Sequence, residues 1–477
     1  MHFSKTYSQL LQELPPELSE NAVDYRQLKK VINQLVAELE SLGLGPTVLQ
    51  DLLQSSDGKS RETSTRVEYE FNSASGRIEP RLRLWVDPPN APSPPSRSRV
   101  EEVDQDDEEP ELSPESQVSL LWALQRHVDS PDVPAAPIIE PSTVDDGNTN
   151  KVEIVIPLVS DSAFFELLVT ALQGLSAHLL AIHAQFVETL AELTRSVSDS
   201  ARPVSSTSHS FKAHSPWNSD AGGVRVDASS RKSDLYSWRE IFQLYVEAEV
   251  FESVNEQTRG ERTIEETETR LKLFAERVTA KGLGDGRQLK LPQSRKALES
   301  FLQLNVFILN VKKFELANAE ATRKILKKHT KRTALPSTDA SNTTPLDLLP
   351  ANNTSLPRIL VQELGTTLLP IIPSLDDYEC LICTSIAFKP IRLSCGHLFC
   401  VRCLVKMQKR GSAHCPMCRA PCVLIADRSN VDWALLNFMR DWFPEESSVK
   451  LRQNEKEAAE EQLQELGVDP NARCIVM

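Results

Sequence analysis

Seven cysteines and one histidine between Cys380 and Cys418 have the types and the spacing to hold metal. They run Cys380-x2-Cys383, Cys395-x-His397, Cys400-x2-Cys403 and Cys415-x2-Cys418, with eleven residues in each of the two wider gaps. A two-residue gap lets the chain turn back so that both thiolates face one ion, and thiolate with imidazole is a donor set of zinc. Eight ligands make two tetrahedral sites. Sites closed in this way are structural, so the metal is not itself the catalyst. Disulfides are a competing reading, disfavoured because no secretory signal precedes these cysteines and cytosolic thiols stay reduced. A zinc knot that merely staples a small fold is the other. It is partly true regardless, since about 40 residues with few apolar side chains bury too little surface to fold without metal. Of nine cysteines, Cys422 and Cys474 are left over.

A second set of residues offers positive charge. Arg323 to Arg332 holds six Lys or Arg and no acid. On a helix, Lys324, Lys327, Lys328 and Lys331 fall at i, i+3, i+4 and i+7, so four ammonium groups project from one face. Like charges so placed repel, and an acidic chain has left them unpaired. Near the start, Tyr25 and Lys29 stand one turn apart on a face that also carries Arg26 and Lys30. A solvated face or a nuclear-import patch is the plainer reading of such a run. A third signal is Cys474-Ile475-Val476-Met477, which fits the C-a-a-X pattern with a terminal methionine that favours farnesyl. Gly467 and Pro470 leave a free tail before it. Glu455 to Glu465 is acidic rather than polybasic, so one lipid at Cys474 would give only reversible membrane binding.

These residues need elements to position them. The chain has 477 residues, a net charge of −14 and a pI near 5.3, which argues for several domains and against general nucleic-acid binding. No run of eighteen apolar residues occurs, so no membrane span is expected. Residues 1–43 read as a helical hairpin, its second helix seamed by Leu28, Ile32, Leu35, Leu39 and Leu42. Residues of about 54–150, with paired prolines and an acidic run, read as a disordered insertion in which Leu82–Val86 and Val118–Val128 are the patches that could order. A long helix over about 161–197 carries an apolar stripe from Phe165 to Leu193, roughly 42 Å long at 1.5 Å per residue, which only a bundle hides. A Ser-rich linker spans about 198–232. Two helical tracts fill about 235–332, Leu235–Lys281 lined by Trp238, Phe242, Tyr245, Leu271, Phe274 and Val278, and Ser294–Arg332 lined by Leu298, Leu302, Leu309 and Leu316. A linker over 336–375 leads to the metal-binding stretch, 376–425. Two helices are expected in 426–466. Val431–Phe443, with Trp433, Leu436, Phe438, Met439 and Trp442, would pack on that stretch or on a partner, and Ser447–Leu466 would be charged and exposed. A tail, 467–477, follows.

The order of three cysteines, a histidine and four cysteines resembles the RING finger, a small α+β module. The resemblance implies cross-bracing, with Cys380, Cys383, Cys400 and Cys403 on one zinc and Cys395, His397, Cys415 and Cys418 on the other. It also implies that Ile382, Met407, Pro416 and Met417 form the groove that docks a ubiquitin-conjugating enzyme. Arg419 matches the linchpin arginine that bridges that enzyme and its thioester-linked ubiquitin, and forked donors suit two carbonyl partners. Many ligases carry tryptophan where this chain has Met407.

Residues 1–335, less the two insertions, resemble the SPX domain, an all-α bundle. The likeness rests on Met1-His-Phe-Ser4, Tyr25-x2-Leu28-Lys29-Lys30, Tyr236-Ser-Trp238-Arg-Glu-Ile-Phe242 and Lys324-Ile-Leu-Lys327-Lys328-His-x-Lys331, in that order. SPX domains bind inositol polyphosphates and pyrophosphates and so report cellular phosphate. The pocket implied is Tyr25, Lys29, Lys324, Lys327, Lys328 and Lys331, with His2 where a lysine often stands. Compact ammonium groups and a directional hydroxyl suit a polyphosphate. SPX followed by RING resembles fungal SPX-RING proteins and the plant nitrogen limitation adaptation ligases. The expected function is a RING-type ubiquitin-protein ligase, a transferase of the ubiquitin conjugation pathway. It would be tied to phosphate homeostasis, with no covalent intermediate of its own, and its expected partners are a ubiquitin-conjugating enzyme, ubiquitin and a phosphate-pathway substrate. The alternative is a non-catalytic phosphate-sensing scaffold whose RING serves protein contacts only. The expected location is the cytoplasm, at membranes if Cys474 is farnesylated, with the nucleus left open.

Overall fold

The computed structural model describes residues 3–55, 66–72, 78–86, 152–203, 233–253, 260–284, 288–336 and 355–466. Several expectations lie outside them: Met1 and His2, most of the 54–150 insertion with its Val118–Val128 patch, most of the Ser-rich linker, and the tail with Gly467, Pro470 and Cys474. The chain divides into two compact units, Met1–Ile182 with Asn310–Leu356, and His183–Leu309 with Pro357–Met477. Both 42-residue helices contribute residues to each unit.

In the first unit the hairpin forms as α1 (Phe3–Glu13), α2 (Pro16–Ser19) and α3 (Tyr25–Ser41), followed by α4 (Pro46–Ser55). Pro15 and Pro16 stop α1, since a ring without N–H suits only a helix start. Asp24 caps α3, accepting from the N–H groups of Arg26 and Gln27 at 3.0 Å each. Leu28, Ile32, Leu35 and Leu39 are buried as the seam requires.

Part of the stretch read as a disordered insertion forms strands, the Leu82–Val86 patch that could order among them, and pairs with a strand just beyond it. Strands β1 (Arg66–Asn72), β2 (Glu79–Val86) and β3 (Val152–Pro157) pair antiparallel in the order β1-β2-β3, with Tyr69 opposite Leu82 and Leu82 opposite Ile156. Val67, Tyr69, Leu82, Leu84 and Ile156 close over Leu35, Leu39 and Leu44. The helical domain therefore contains a small sheet, whose inward face is alternate residues of each strand.

Two long helices complete the frame, α5 (Val159–Ser200) and, after α6 (Leu235–Ala248) and α7 (Ile264–Ala280), α8 (Pro292–Thr333). Glu38 accepts the N–H groups of Val159 and Ser160 at 3.0 and 2.8 Å and so caps α5. The α5 stripe is buried at Phe165, Leu168, Ile182, Phe186, Leu190 and Leu193 and only half-buried at Leu172, Leu175 and Leu179. By length and composition alone α5 is apolar enough to cross a membrane, with 17% of its most apolar window buried. Buried Asp161 joins β1 to α8: Tyr69 donates to its Oδ2 at 2.6 Å, and His329 Nε2 meets its Oδ1 at 2.7 Å. Asn318 ties α8 to the hairpin, accepting from the Tyr7 hydroxyl and the Val23 N–H at 2.9 Å each while donating to Phe314 O. Leu316, expected on the α8 seam, is 59% exposed. A seven-residue repeat drifts around a helix of 3.6 residues per turn, and Phe314 and Ala317 take the inward positions.

In the second unit the expected tract of 235–281 is two helices, because the chain leaves α6 at Glu249 with φ 41° and re-enters at a Thr263–Glu266 capping box. Trp238, Phe242, Tyr245, Phe274 and Phe301 form its aromatic core. The linker expected over 336–375 contains a helix, α9 (Leu356–Thr367), whose Glu363 meets His183 of α5 at 2.8 Å. Strands β4 (Pro390–Arg392) and β5 (Leu398–Cys400) then lead into α10 (Val401–Lys409), and α11 (Trp433–Trp442) and α12 (Pro444–Glu465) follow. Leu435, Leu436, Met439 and Trp442 bury the α11 face, whereas Trp433, expected to pack, is exposed.

α12, expected to be charged and exposed, is exposed along most of its length but held on one side. Arg402, Lys406 and Lys409 of α10 meet Glu457, Glu461 and Glu465 at i, i+4 and i+8, the closest pairs including Lys406–Glu457 at 2.5 Å and Lys409–Glu465 at 2.7 Å. The start of α12 is clasped by α6. The Tyr236 hydroxyl donates to Glu446 Oε2 at 2.7 Å, Arg239 Nη2 donates to Trp442 O at 2.6 Å, and the guanidinium lies 4.4 Å from the Phe443 ring centroid. Arg239→Ala is expected to cost about 2 kcal/mol, the scale of a charge-assisted hydrogen bond with a cation–π contact. The change would appear as a lower denaturant midpoint and faster proteolysis at 442–446.

Candidate functional site

Two clusters of side chains assemble in the second unit. Sγ atoms of Cys380, Cys383, Cys400 and Cys403 lie within 4.8 Å of one another, and so do the ligand atoms of Cys395, His397, Cys415 and Cys418. That pairing is the cross-brace, first pair with third and second with fourth. The local chain makes it. After each outer Cys-x2-Cys pair the next residue turns left-handed, Thr384 at φ 46° and Arg419 at φ 60°, and donates its N–H back to the first cysteine's carbonyl, at 2.9 and 2.8 Å. Gly396 supplies φ 88° between Cys395 and His397, a conformation that suits glycine. β5 ends on Cys400 and α10 carries Cys403, so strand and helix fix that pair.

The donor chemistry fits zinc. Hydrogen bonding to Cys380 pushes the Cys400 thiol up to about 12 and the Cys403 thiol further, while bonds from both hold Cys380 low. Crowded thiols thus resist joint ionisation, which a dication reverses. Outside the ligand set, the Cys422 thiol lies 3.5 Å from Cys395 Sγ and the Lys450 ammonium 3.6 Å from Cys383 Sγ.

Beside these clusters Ile382 is 43% and Met417 53% exposed, and Pro416 and Arg419 are exposed too. Met407 is half-buried on α10. A closed metal cluster holding apolar side chains out in solvent fits contact with another protein.

In the first unit the hairpin and α8 bring the lysines near one another. Lys29, Lys327 and Lys331 are exposed, and Lys324 and Lys328 half-buried. Burial, then Lys29 and Arg332, pull the Lys328 ammonium below its usual range, so these three cations feel one another. Lys324 is partly engaged, 3.1 Å from Glu320 and 4.0 Å from the Phe3 ring centroid. Tyr25 is buried against Phe3, with ring centroids 5.2 Å apart. Sequence reasoning did not assign roles to Phe3, Arg332 or Lys450. Arg332 sits inside the basic run and was readable there; Lys450 had no signal in its neighbours.

The two clusters and their interleaved ligand order define a RING zinc module, and the C3HC4-type zinc finger (RING finger) family matches residues 380–418. The SPX domain family matches residues 1–341, and the chain belongs to the SPX family, here in its SPX-RING arrangement. It is 31% identical over 532 aligned positions to Transcriptional regulator of yeast form adherence 3 of Candida albicans, covering 100% of each chain. An uncharacterized RING finger protein of Schizosaccharomyces pombe is 29% identical over 494 positions, 96% of each. Over 49 residues, 10% of this chain and 12% of the relative, it is 47% identical to the E3 ubiquitin-protein ligase PRT1 of Arabidopsis thaliana. No solved structure matches.

Proposed function

We propose that this protein is a RING-type ubiquitin ligase whose SPX domain senses inositol polyphosphates or pyrophosphates, linking ubiquitin transfer to phosphate supply. The observation that carries the reading is the exposed set Ile382, Pro416, Met417 and Arg419 on the metal knuckles. These residues would dock a charged conjugating enzyme, and the ligase would work by holding it in a reactive geometry. The zincs supply the rigid frame. In the first unit, Lys29, Lys327, Lys328 and Lys331 offer ammonium groups with no carboxylate in ion-pair contact among the described residues, which suits a dense polyanion.

The test is autoubiquitination of the full-length chain with a panel of conjugating enzymes, with and without inositol hexakisphosphate. Ile382→Ala should reduce the rate at least about fivefold with both zincs retained, since loss of an apolar docking anchor costs more than about 1 kcal/mol. Arg419→Gly, which relaxes the left-handed backbone, should also be slow if the side chain is the bridge. Lys328→Ala should abolish the response to the inositol phosphate and leave the basal rate. A wild-type chain inactive with every conjugating enzyme would favour a scaffold that uses the RING for protein contacts alone.

A further inference from the structure

A buried ammonium is unfavourable unless an anionic or dipolar partner meets it. Lys450 of α12 is 6% exposed, and among the described residues its ammonium donates to Cys383 Sγ at 3.6 Å. The lysine stands well beyond Cys418, outside the stretch that the RING family matches. It is held there from both sides. One turn earlier Ser447 donates to Met439 O at 3.1 Å, and further along Glu457 and Glu465 pair with α10.

The two clusters differ in charge. Four thiolates around a dication leave two formal negative charges, whereas three thiolates and an imidazole leave one. Lys450 touches the tetrathiolate cluster. Cys383 Sγ also lies 3.2 Å from the Ser385 hydroxyl, so this thiolate has two donors from outside the ligand set.

We propose that Lys450 is a positioning residue of the tetrathiolate zinc site. Its N–H donates to Cys383 Sγ and its charge offsets part of the cluster's excess, which makes α12 an outer layer of the metal centre. The inference rests on zinc occupying that cluster. A thiolate that accepts such a bond carries less electron density, so it is a weaker nucleophile and is slower to leave the metal through protonation or alkylation.

The experiment follows zinc release from the full-length protein into excess chromophoric chelator, in two phases for two ions. In Lys450→Met one phase should run 10–100-fold faster, the usual scale for losing an outer-shell partner, and the other should not change. Lys450→Arg should release at the wild-type rate, and Lys450→Gln, a neutral donor, at an intermediate one. In cobalt-substituted protein the sulfur-to-metal charge-transfer band should move in Lys450→Met and Lys450→Gln, and stay in place in Ser447→Ala, which loosens the same helix without touching sulfur. Two unchanged phases with an unchanged band would overturn the proposal, as would Ser447→Ala accelerating release as much as Lys450→Met. If Lys450→Met fails to fold, the Gln and Arg variants decide by the same criteria. A wild-type chain that takes up no zinc would remove the premise itself, whatever its ligase activity.

Discussion

Chelation of zinc from the full-length protein is expected to unfold the stretch from Cys380 to about Val431 while α3 and the end of α8 keep their amide protection. The expected effect is the largest that any one perturbation has here, because binding of a structural zinc carries about 10–16 kcal/mol at neutral pH. The apolar residues of that stretch, Ile386, Phe388, Ile391, Leu393, Phe399 and Leu404, are too few to hold it without metal. Acid should act in the same direction, since bound thiolates must be deprotonated and falling pH returns their protons. Hydrogen exchange measured peptide by peptide reads the result, and protection surviving in 386–404 after both ions have gone would contradict it.

Asp161→Ala is expected to be the most damaging single substitution in the first unit. It strands two buried groups, the Tyr69 hydroxyl and His329 Nε2, and each orphan costs about 1–3 kcal/mol, so the loss is about 2–6 kcal/mol. Tyr69→Phe keeps the contact between Asp161 and His329 and should cost only about 1 kcal/mol. Urea denaturation of the full chain separates the two. Equal losses would mean that packing, rather than the hydrogen-bonded chain, holds β1 to α8.

Much of the site was legible because metal ligands leave a spacing that few other demands produce. Cys-x2-Cys repeated with a Cys-x-His between it fixes donors and count, and the RING likeness implied the interleaving that the clusters show. The α3 seam was equally plain, since Leu28, Ile32, Leu35 and Leu39 repeat at the helical period. The strands were harder. Val67, Tyr69 and Phe71 alternate with Arg66, Glu68 and Glu70, a period of two, but the segment is only seven residues long and lies in a chain rich in proline and acid. Its partner across β2 is β3, far along the sequence, and pairing at that range leaves no local mark. Burial of Asp161 and Lys450 was illegible for a related reason: each is a charged residue whose partners come from distant elements, and composition alone puts such residues outside.

The register of the sheet bears on how this chain lengthens. Trp85 pairs with Glu153 and Val86 with Val152, so the stretch between the two strands begins and ends at neighbouring points at one end of the sheet. For a flexible connection, closing such a gap grows harder by only about 0.6 kcal/mol with each doubling in length. A longer or shorter sequence between Val86 and Val152 is therefore expected to change stability little, measurable as a small shift in denaturant midpoint on deletion within it. The end of the sheet is thus suited to insertion, while Tyr69, Asp161 and His329 keep the lysine-bearing helix in place.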